Sequence, residues 1–158
     1  MSETTGGEVT TMPYRVARYR LLLVKDGTVP TTWDRQLRQS KDVADLMAPL
    51  ARGLDRETFW CLLLNGKNVL VGLNVVSVGA LTAALVHPRE VFKPAILESA
   101  ASVILIHNHP SGDPTPSRED VRLTRQLVEC AKLLDLRIHD HVIIGRGRFA
   151  SLAERGVI

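Results

Sequence analysis

The chain has 158 residues, a formal net charge of +3, 45% hydrophobic residues and 23% charged residues. These values are ordinary for one globular domain long enough to bury a core, and the mild positive charge is compatible with nucleic acid without requiring it. No apolar stretch approaches the roughly 18 residues of a membrane-spanning helix, and the polar N-terminus lacks the apolar segment of a signal peptide, so we predict a cytoplasmic protein.

The first third of the chain predicts a tail, a strand and a helix. Residues 1–12 are rich in Ser, Thr, Gly and Glu, which predicts a disordered tail. Apolar residues alternate over 14–24, which favours a strand, and a helix capped by Ser40 is predicted over 40–51. We assign residues 13–53 to this strand and helix, either as part of the main domain or packed on it.

The remaining residues, 54–158, predict one layered domain. Its first two strands are joined by Asn65-Gly66, a strong hairpin turn. Strands alternating with helices, together with one hairpin, predict an α/β domain with a mixed sheet. The predicted elements are strands over 57–64 and 69–78, a helix over 88–100, a strand over 102–107, a helix beginning at Ser117, and strands over 137–144 and 149–152.

The two cysteines, Cys61 and Cys130, both lie in apolar segments and have no close spacing. Such a pair is not the pattern of a disulfide framework or of a zinc finger. We therefore predict two buried thiols in a reducing compartment.

The sequence around two histidines carries the strongest chemical signal. His107 and His109 end an apolar strand and, being two residues apart, point to the same side. Three prolines between 110 and 116 keep the next stretch out of helix, and such a loop could return the following helix start to the strand end. Asp120 would then join the two imidazoles in a site with three ligands and one open position, the arrangement of a catalytic zinc.

A second interpretation explains part of the same pattern. Ser117-x-x-Asp120 before an apolar run is close to a helix capping box, with Asp in place of the usual Glu or Gln. The cap accounts for these two residues but not for the two histidines or the proline-rich loop. A second pair, His139 and His141, is predicted to share one strand face and to be buried structural or supporting residues, with metal ligation the less favoured role.

These residues also resemble a known family. His107-x-His109, seven intervening residues, Ser117, two more and Asp120 match the JAMM signature of the MPN+ (JAB) metalloprotease fold at all four positions. Two further sequence segments resemble the RadC branch of that family: His87-Pro-Arg-Glu-Val-Phe-Lys-Pro and Asp140-His-Val-Ile-Ile-Gly. The resemblance covers 54–158 and is weaker over 13–53. Longer RadC proteins carry a helix-hairpin-helix region ahead of this domain, so we expect a short form without it.

The resemblance implies a three-layer α/β fold, a mixed sheet flanked by helices and related to the layered cytidine-deaminase fold. It implies one Zn²⁺ per chain held by His107, His109 and Asp120, with Glu57 as general base and Ser117 as a hydrogen-bond donor to the oxyanion. The implied activity is hydrolysis of a peptide or isopeptide bond in a peptide or protein substrate. The alternative is a DNA-repair-associated module that mainly binds DNA or protein, and a homodimer through an exposed sheet edge is a further option.

Overall fold

The computed structural model describes residues 17, 19–28, 36–79 and 86–158. Its helices and strands are, in chain order, α1 (Ser40–Ala51), β1 (Thr58–Leu64), β2 (Leu70–Val78), α2 (Pro88–Glu98), β3 (Ser102–Asn108), α3 (Arg118–Leu133), β4 (Arg137–Ile144) and β5 (Phe149–Ser151). The type of each predicted element from residue 40 onward is therefore confirmed. The predicted tail over 1–12 and the start of the predicted strand over 14–24 lie outside the described residues, and residues 19–24 have no regular secondary structure.

The five strands form one mixed sheet in the order β2-β1-β3-β4-β5. Strands β3 and β4 are parallel, and the other neighbouring pairs are antiparallel. The parallel pair needs a crossover connection, which α3 supplies. This topology confirms the predicted mixed sheet and places the end of β3 near the middle of the sheet.

Two hydrophobic clusters cover the two faces of the sheet, as the alternation of strand side chains requires. Helix α1 packs Met47 against Trp60 and Ile106 on one face. Helices α2 and α3 pack Phe92 and Leu127 on the other face. The middle strands β1 and β3 are buried along their whole length, which is why their sequences are mostly continuous apolar runs. The predicted three-layer α/β architecture is confirmed.

Two details of the helices differ from the sequence prediction. The N-cap of α1 is Gln39 rather than Ser40, because the Asp42 carboxylate accepts hydrogen bonds from the backbone N–H groups of Arg38 and Gln39. Helix α2 begins at Pro88 as predicted and contains Pro94, but it ends at Glu98, two residues before the predicted end, where Ser99 takes the left-handed conformation.

The buried face of α3 is not purely apolar. The helix buries two polar residues, Asp120 and Thr124, along with its aliphatic ones. Hydrophobic periodicity does not predict this, because burial of a polar side chain depends on hydrogen-bond partners supplied by other elements.

Both cysteines are free; Cys61 is buried and Cys130 is half-buried. Burial raises the pKa of the Cys61 thiol to about 12. Because the thiolate is the reactive form, we expect a thiol reagent at pH 8 to modify only Cys130 in the folded protein and both cysteines in denaturant. Cys130→Ser is the control, and it should leave the folded protein almost unreactive. Rapid modification of folded Cys130→Ser would contradict the burial of Cys61.

None of the helices in the described part of the chain is long and apolar enough to cross a membrane.

Candidate metal centre

Three predicted ligands meet where the end of β3 approaches the start of α3. His107 lies in β3, His109 follows it directly, and Asp120 lies in the first turn of α3. His107 and Asp120 are buried, whereas His109 is partly exposed. The cluster is therefore enclosed on the protein side and approachable from the side of His109.

The distances within the cluster suit a small cation. The Nε2 atoms of His107 and His109 are 3.0 Å apart. Asp120 Oδ1 lies 3.3 Å from His107 Nε2, and Asp120 Oδ2 lies 3.5 Å from His109 Nε2. A tetrahedral ion with bonds of about 2.0–2.2 Å places its ligand atoms about 3.3–3.6 Å apart. Among the described residues, this is the group of three His, Cys, Asp or Glu side chains whose ligand atoms converge closely enough for one ion.

The loop between His109 and α3 orients the exposed imidazole. His109 Nδ1 lies 2.7 Å from the backbone carbonyl oxygen of Asp113, which can only accept, so Nδ1 carries the proton. The lone pair of His109 Nε2 is then directed at His107 and Asp120. An anionic carboxylate and an imidazole lone pair facing one point are a donor set that fits a divalent metal such as zinc.

The turn after β4 holds this loop in place. The backbone N–H of His109 donates to the carbonyl of Ile144, and the N–H of Arg146 donates to the carbonyl of Gly112, both at 2.9 Å. The packing is so close that a Cβ on Gly145 would lie 2.5 Å from the carbonyl oxygen of Gly112. A glycine is required at this point because any side chain would displace the loop that orients His109.

The capping box predicted as an alternative is also present. Ser117 Oγ accepts a hydrogen bond from the Asp120 N–H at 3.0 Å, and Asp120 Oδ2 accepts one from the Ser117 N–H at 2.7 Å. The two interpretations do not compete, because the carboxylate also faces the two imidazoles. Asp120 both starts the helix and completes the cluster.

The electrostatics of the cluster follow from burial and from its hydrogen bonds. Burial alone would raise the pKa of Asp120, but the two neighbouring imidazoles and the hydrogen bond from the Ser117 N–H hold it well below its usual value. Burial lowers the pKa of His107, while the Asp120 carboxylate raises that of His109. Near neutral pH, Asp120 is therefore an anion beside a neutral His107, which favours a bound cation.

The structure brings Glu57 to the same site. Glu57 precedes β1, and the antiparallel register pairs Phe59 with His107, so Glu57 lies at the level of His109. Burial sets the lowered pKa of His107 and Asp120 sets the raised pKa of His109, and the charge of Glu57 is near enough to add a smaller upward effect on both. This position is compatible with the predicted role of general base, and that role stays a prediction.

Sequence reasoning missed Asn108, which lies between the two histidines. Its side-chain Oδ1 accepts from the Thr58 N–H at 2.7 Å, and its Nδ2 donates to the Arg56 carbonyl at 3.1 Å. These two bonds hold the backbone on either side of Glu57. The only sequence signal for Asn108 is its position, because a residue between two histidines that share one strand face lies on the opposite face of the sheet.

The prediction that His139 and His141 share one strand face is wrong. The pairing of β3 with β4 shifts by one residue at His139, and such a bulge changes which side the following residues face. His139 lines a surface cavity together with Ser40 of α1. His141 is fully buried on the other side, with its Nε2 2.8 Å from His107 Nδ1. Of the two, only His141 supports the cluster.

A cavity of about 330 Å³ opens beside His109. The end of α1 and the turn after β4 line it, and they contribute Arg52 and Arg146. Of the three clustered side chains, His109 alone lines this cavity, and the two arginines give the cavity a positive charge that favours acidic groups.

The chain matches one known protein family and is similar in sequence to several curated proteins. Residues 37–157 match the protein family described as the RadC-like JAB domain. The chain is 54% identical over 122 residues to the UPF0758 protein of Moorella thermoacetica, covering 77% of this chain and 53% of the relative. It is 53% identical over 124 residues to the UPF0758 protein of Methanosarcina mazei, covering 78% of this chain and 54% of that protein. The chain thus spans about half the length of the curated relatives that it matches, and their names state no activity.

Proposed function

This chain belongs to the RadC-like JAB domain family, and from that premise we propose that it is a zinc-dependent hydrolase of a peptide or isopeptide bond. The observation that carries the proposal is the convergence of His107, His109 and Asp120 within 3.0–3.5 Å, with His109 partly exposed to solvent. Three protein ligands and one open position are the arrangement of catalytic zinc sites.

The residues around the cluster can supply the remaining chemistry. Bound zinc would polarise the scissile carbonyl and lower the pKa of a water molecule at the open position. Glu57, next to both histidines, would take the proton of that water and deliver it to the leaving amine. Ser117 Oγ already accepts from the Asp120 N–H, so its own hydroxyl proton remains to donate to the developing oxyanion.

The first test is the metal content of the purified protein, measured by elemental analysis after incubation with zinc at neutral pH. We expect one zinc per chain in the wild type and none in His109→Ala. His139→Ala is the matched control, because it removes an imidazole from the same domain outside the cluster, and it should retain zinc. A wild-type protein without zinc would contradict the proposed function. Wild-type protein with zinc would next be assayed on peptide and isopeptide substrates.

A second candidate function is that of a DNA-binding or protein-binding module. Arg52 and Arg146 beside the cavity favour it, since cationic side chains contact phosphate groups. Binding to DNA through such contacts weakens steeply with salt. A gel shift that weakens between 50 and 200 mM salt and is reduced by Arg52→Ala would support this candidate, and zinc-dependent cleavage without such a shift would favour the hydrolase.

Asn108→Ala tests the positioning of Glu57. We expect this variant to keep zinc, since Asn108 does not face the ligand atoms, and to hydrolyse substrate about 10-fold more slowly because the backbone around Glu57 loses two hydrogen bonds. Rates of hydrolysis and zinc content are measured side by side. Asn74→Ala, on β2, is the control and should match the wild type. An Asn108→Ala variant with wild-type turnover would show that Glu57 does not need this support.

A further inference from the structure

We propose that Thr124 and His141, neither of which belongs to the ligand motif, hold His107 in the tautomer whose Nε2 lone pair faces the metal position. The inference rests on the proposed zinc site and deepens it. It assigns two positioning residues, joined to His107 by an unbroken chain of buried hydrogen bonds.

The chain begins at the hydroxyl of Thr124, one helical turn after Asp120. Its Oγ1 lies 2.6 Å from the backbone carbonyl oxygen of Asp120 and 2.6 Å from His141 Nδ1. A carbonyl oxygen can only accept, and a hydroxyl has a single proton to give. When Thr124 donates to that carbonyl, its oxygen is left to accept a proton from His141 Nδ1.

The position of the proton on His141 then decides the position of the proton on His107. His141 is fully buried, and a buried imidazole without a carboxylate partner is neutral with one ring proton. With that proton on Nδ1, its Nε2 is an acceptor, and it lies 2.8 Å from His107 Nδ1. His107 must then carry its own proton on Nδ1. The lone pair of His107 Nε2 is therefore directed at His109 and Asp120, where a metal ligand needs it.

The reverse direction of the chain would block the site. If Thr124 donated to His141 instead, His141 Nε2–H would donate to His107, and the proton of His107 would lie on Nε2. The carbonyl of Asp120 excludes this direction, because two oxygens 2.6 Å apart need a proton between them and only the Thr124 hydroxyl can supply it. Asp120 thus contributes its carboxylate to the cluster and its carbonyl to the far end of the chain.

Aromatic packing keeps both rings in the orientation that the chain requires. Phe59 stacks on His107 with 6.1 Å between ring centroids and 8° between planes, and its ring meets His141 edge-on at 5.3 Å. Because Phe59 is itself fully buried in the core, neither imidazole can rotate freely to find another partner. The tautomer of His107 is therefore decided by Thr124 and His141 rather than by solvent.

The test compares Thr124→Val, which keeps the shape and removes the hydroxyl, with Thr124→Ser, which keeps the hydroxyl. Zinc dissociation constants are measured by competition with a chelating dye, and folding is checked by circular dichroism. We expect Thr124→Val to bind zinc about 10–100-fold more weakly, the usual loss when a ligand's supporting partner is removed, and Thr124→Ser to stay within about threefold of the wild type. Equal zinc affinity in Thr124→Val and wild type would overturn the inference.

A second readout on the wild-type protein keeps the inference testable even if Thr124→Val does not fold. Long-range ¹H–¹⁵N NMR of the metal-free protein distinguishes the two tautomers of each imidazole. We expect His141 to carry its proton on Nδ1, and a proton on Nε2 would overturn the inference. Wild-type protein that binds no zinc would overturn the proposed function itself, whereas tight wild-type binding with an unaffected Thr124→Val would overturn only this step.

Discussion

Asp120→Ala is expected to abolish zinc binding and to weaken the start of α3, because one carboxylate serves both the cluster and the helix cap. Loss of a direct ligand should cost more than the ~10–100-fold in affinity that loss of a supporting partner costs. Loss of the cap should lower the free energy of unfolding of the metal-free protein by about 1 kcal/mol. Zinc affinity from dye competition and stability from urea unfolding measure the two effects separately.

Asp120→Asn separates the two roles of this residue. The asparagine side-chain oxygen can still accept from the Ser117 N–H, so the helix cap should survive, while the loss of the negative charge should still remove most of the zinc affinity. Glu119→Ala, which removes the neighbouring acidic residue in the same first turn, is the control and should keep its zinc. Full zinc binding by Asp120→Ala would show that the carboxylate only caps the helix.

Glu57→Gln is expected to keep one zinc per chain and to lose turnover by about 10²–10⁴-fold, the usual contribution of a general base. Glutamine is close to glutamate in shape but cannot take a proton from water. Because Glu57 lies beside the cluster rather than among the three converging ligands, zinc content should not change. Rates on a cleaved peptide and zinc content of the same preparation give both quantities.

The control for Glu57→Gln is Asp55→Asn, which neutralises an exposed carboxylate two residues earlier in the chain. It should match the wild type in both rate and zinc content. Turnover by Glu57→Gln at the wild-type rate would refute the assignment of Glu57 as the base. Loss of zinc in Glu57→Gln would show instead that Glu57 helps to hold the metal.

The ligand cluster could be predicted because its information is local. His107 and His109 share a face through the two-residue period of a strand, and Ser117 and Asp120 are set by the first turn of one helix. Only 13 positions separate His107 from Asp120, and the proline-rich loop between them narrows the ways in which the two elements can meet. Spacing within one short stretch was therefore enough to place three side chains together.

The residues that support the cluster depend on contacts distant in the sequence. Asn108 and its partner Thr58 are 50 positions apart, and His107 and His141 are 34 apart. Polar residues such as Asn108 and Thr124 carry no hydrophobic pattern that would mark them as buried. Their burial is stable only because the fold supplies each of them with hydrogen-bond partners from another element.

The sequence by itself thus determined the layered α/β fold, the order of its elements from residue 40 onward and the three side chains that converge, because these follow from hydrophobic periodicity, turn residues and short-range spacing. The tertiary structure alone decided that the capping box and the ligand cluster coexist on Asp120, and that His141 rather than His139 reaches the cluster. A one-residue bulge in β4 is the reason that His141, and not His139, faces the cluster. Strand register is fixed by packing of the whole sheet, and a shift of one residue exchanges the two faces without leaving a local signal in the sequence.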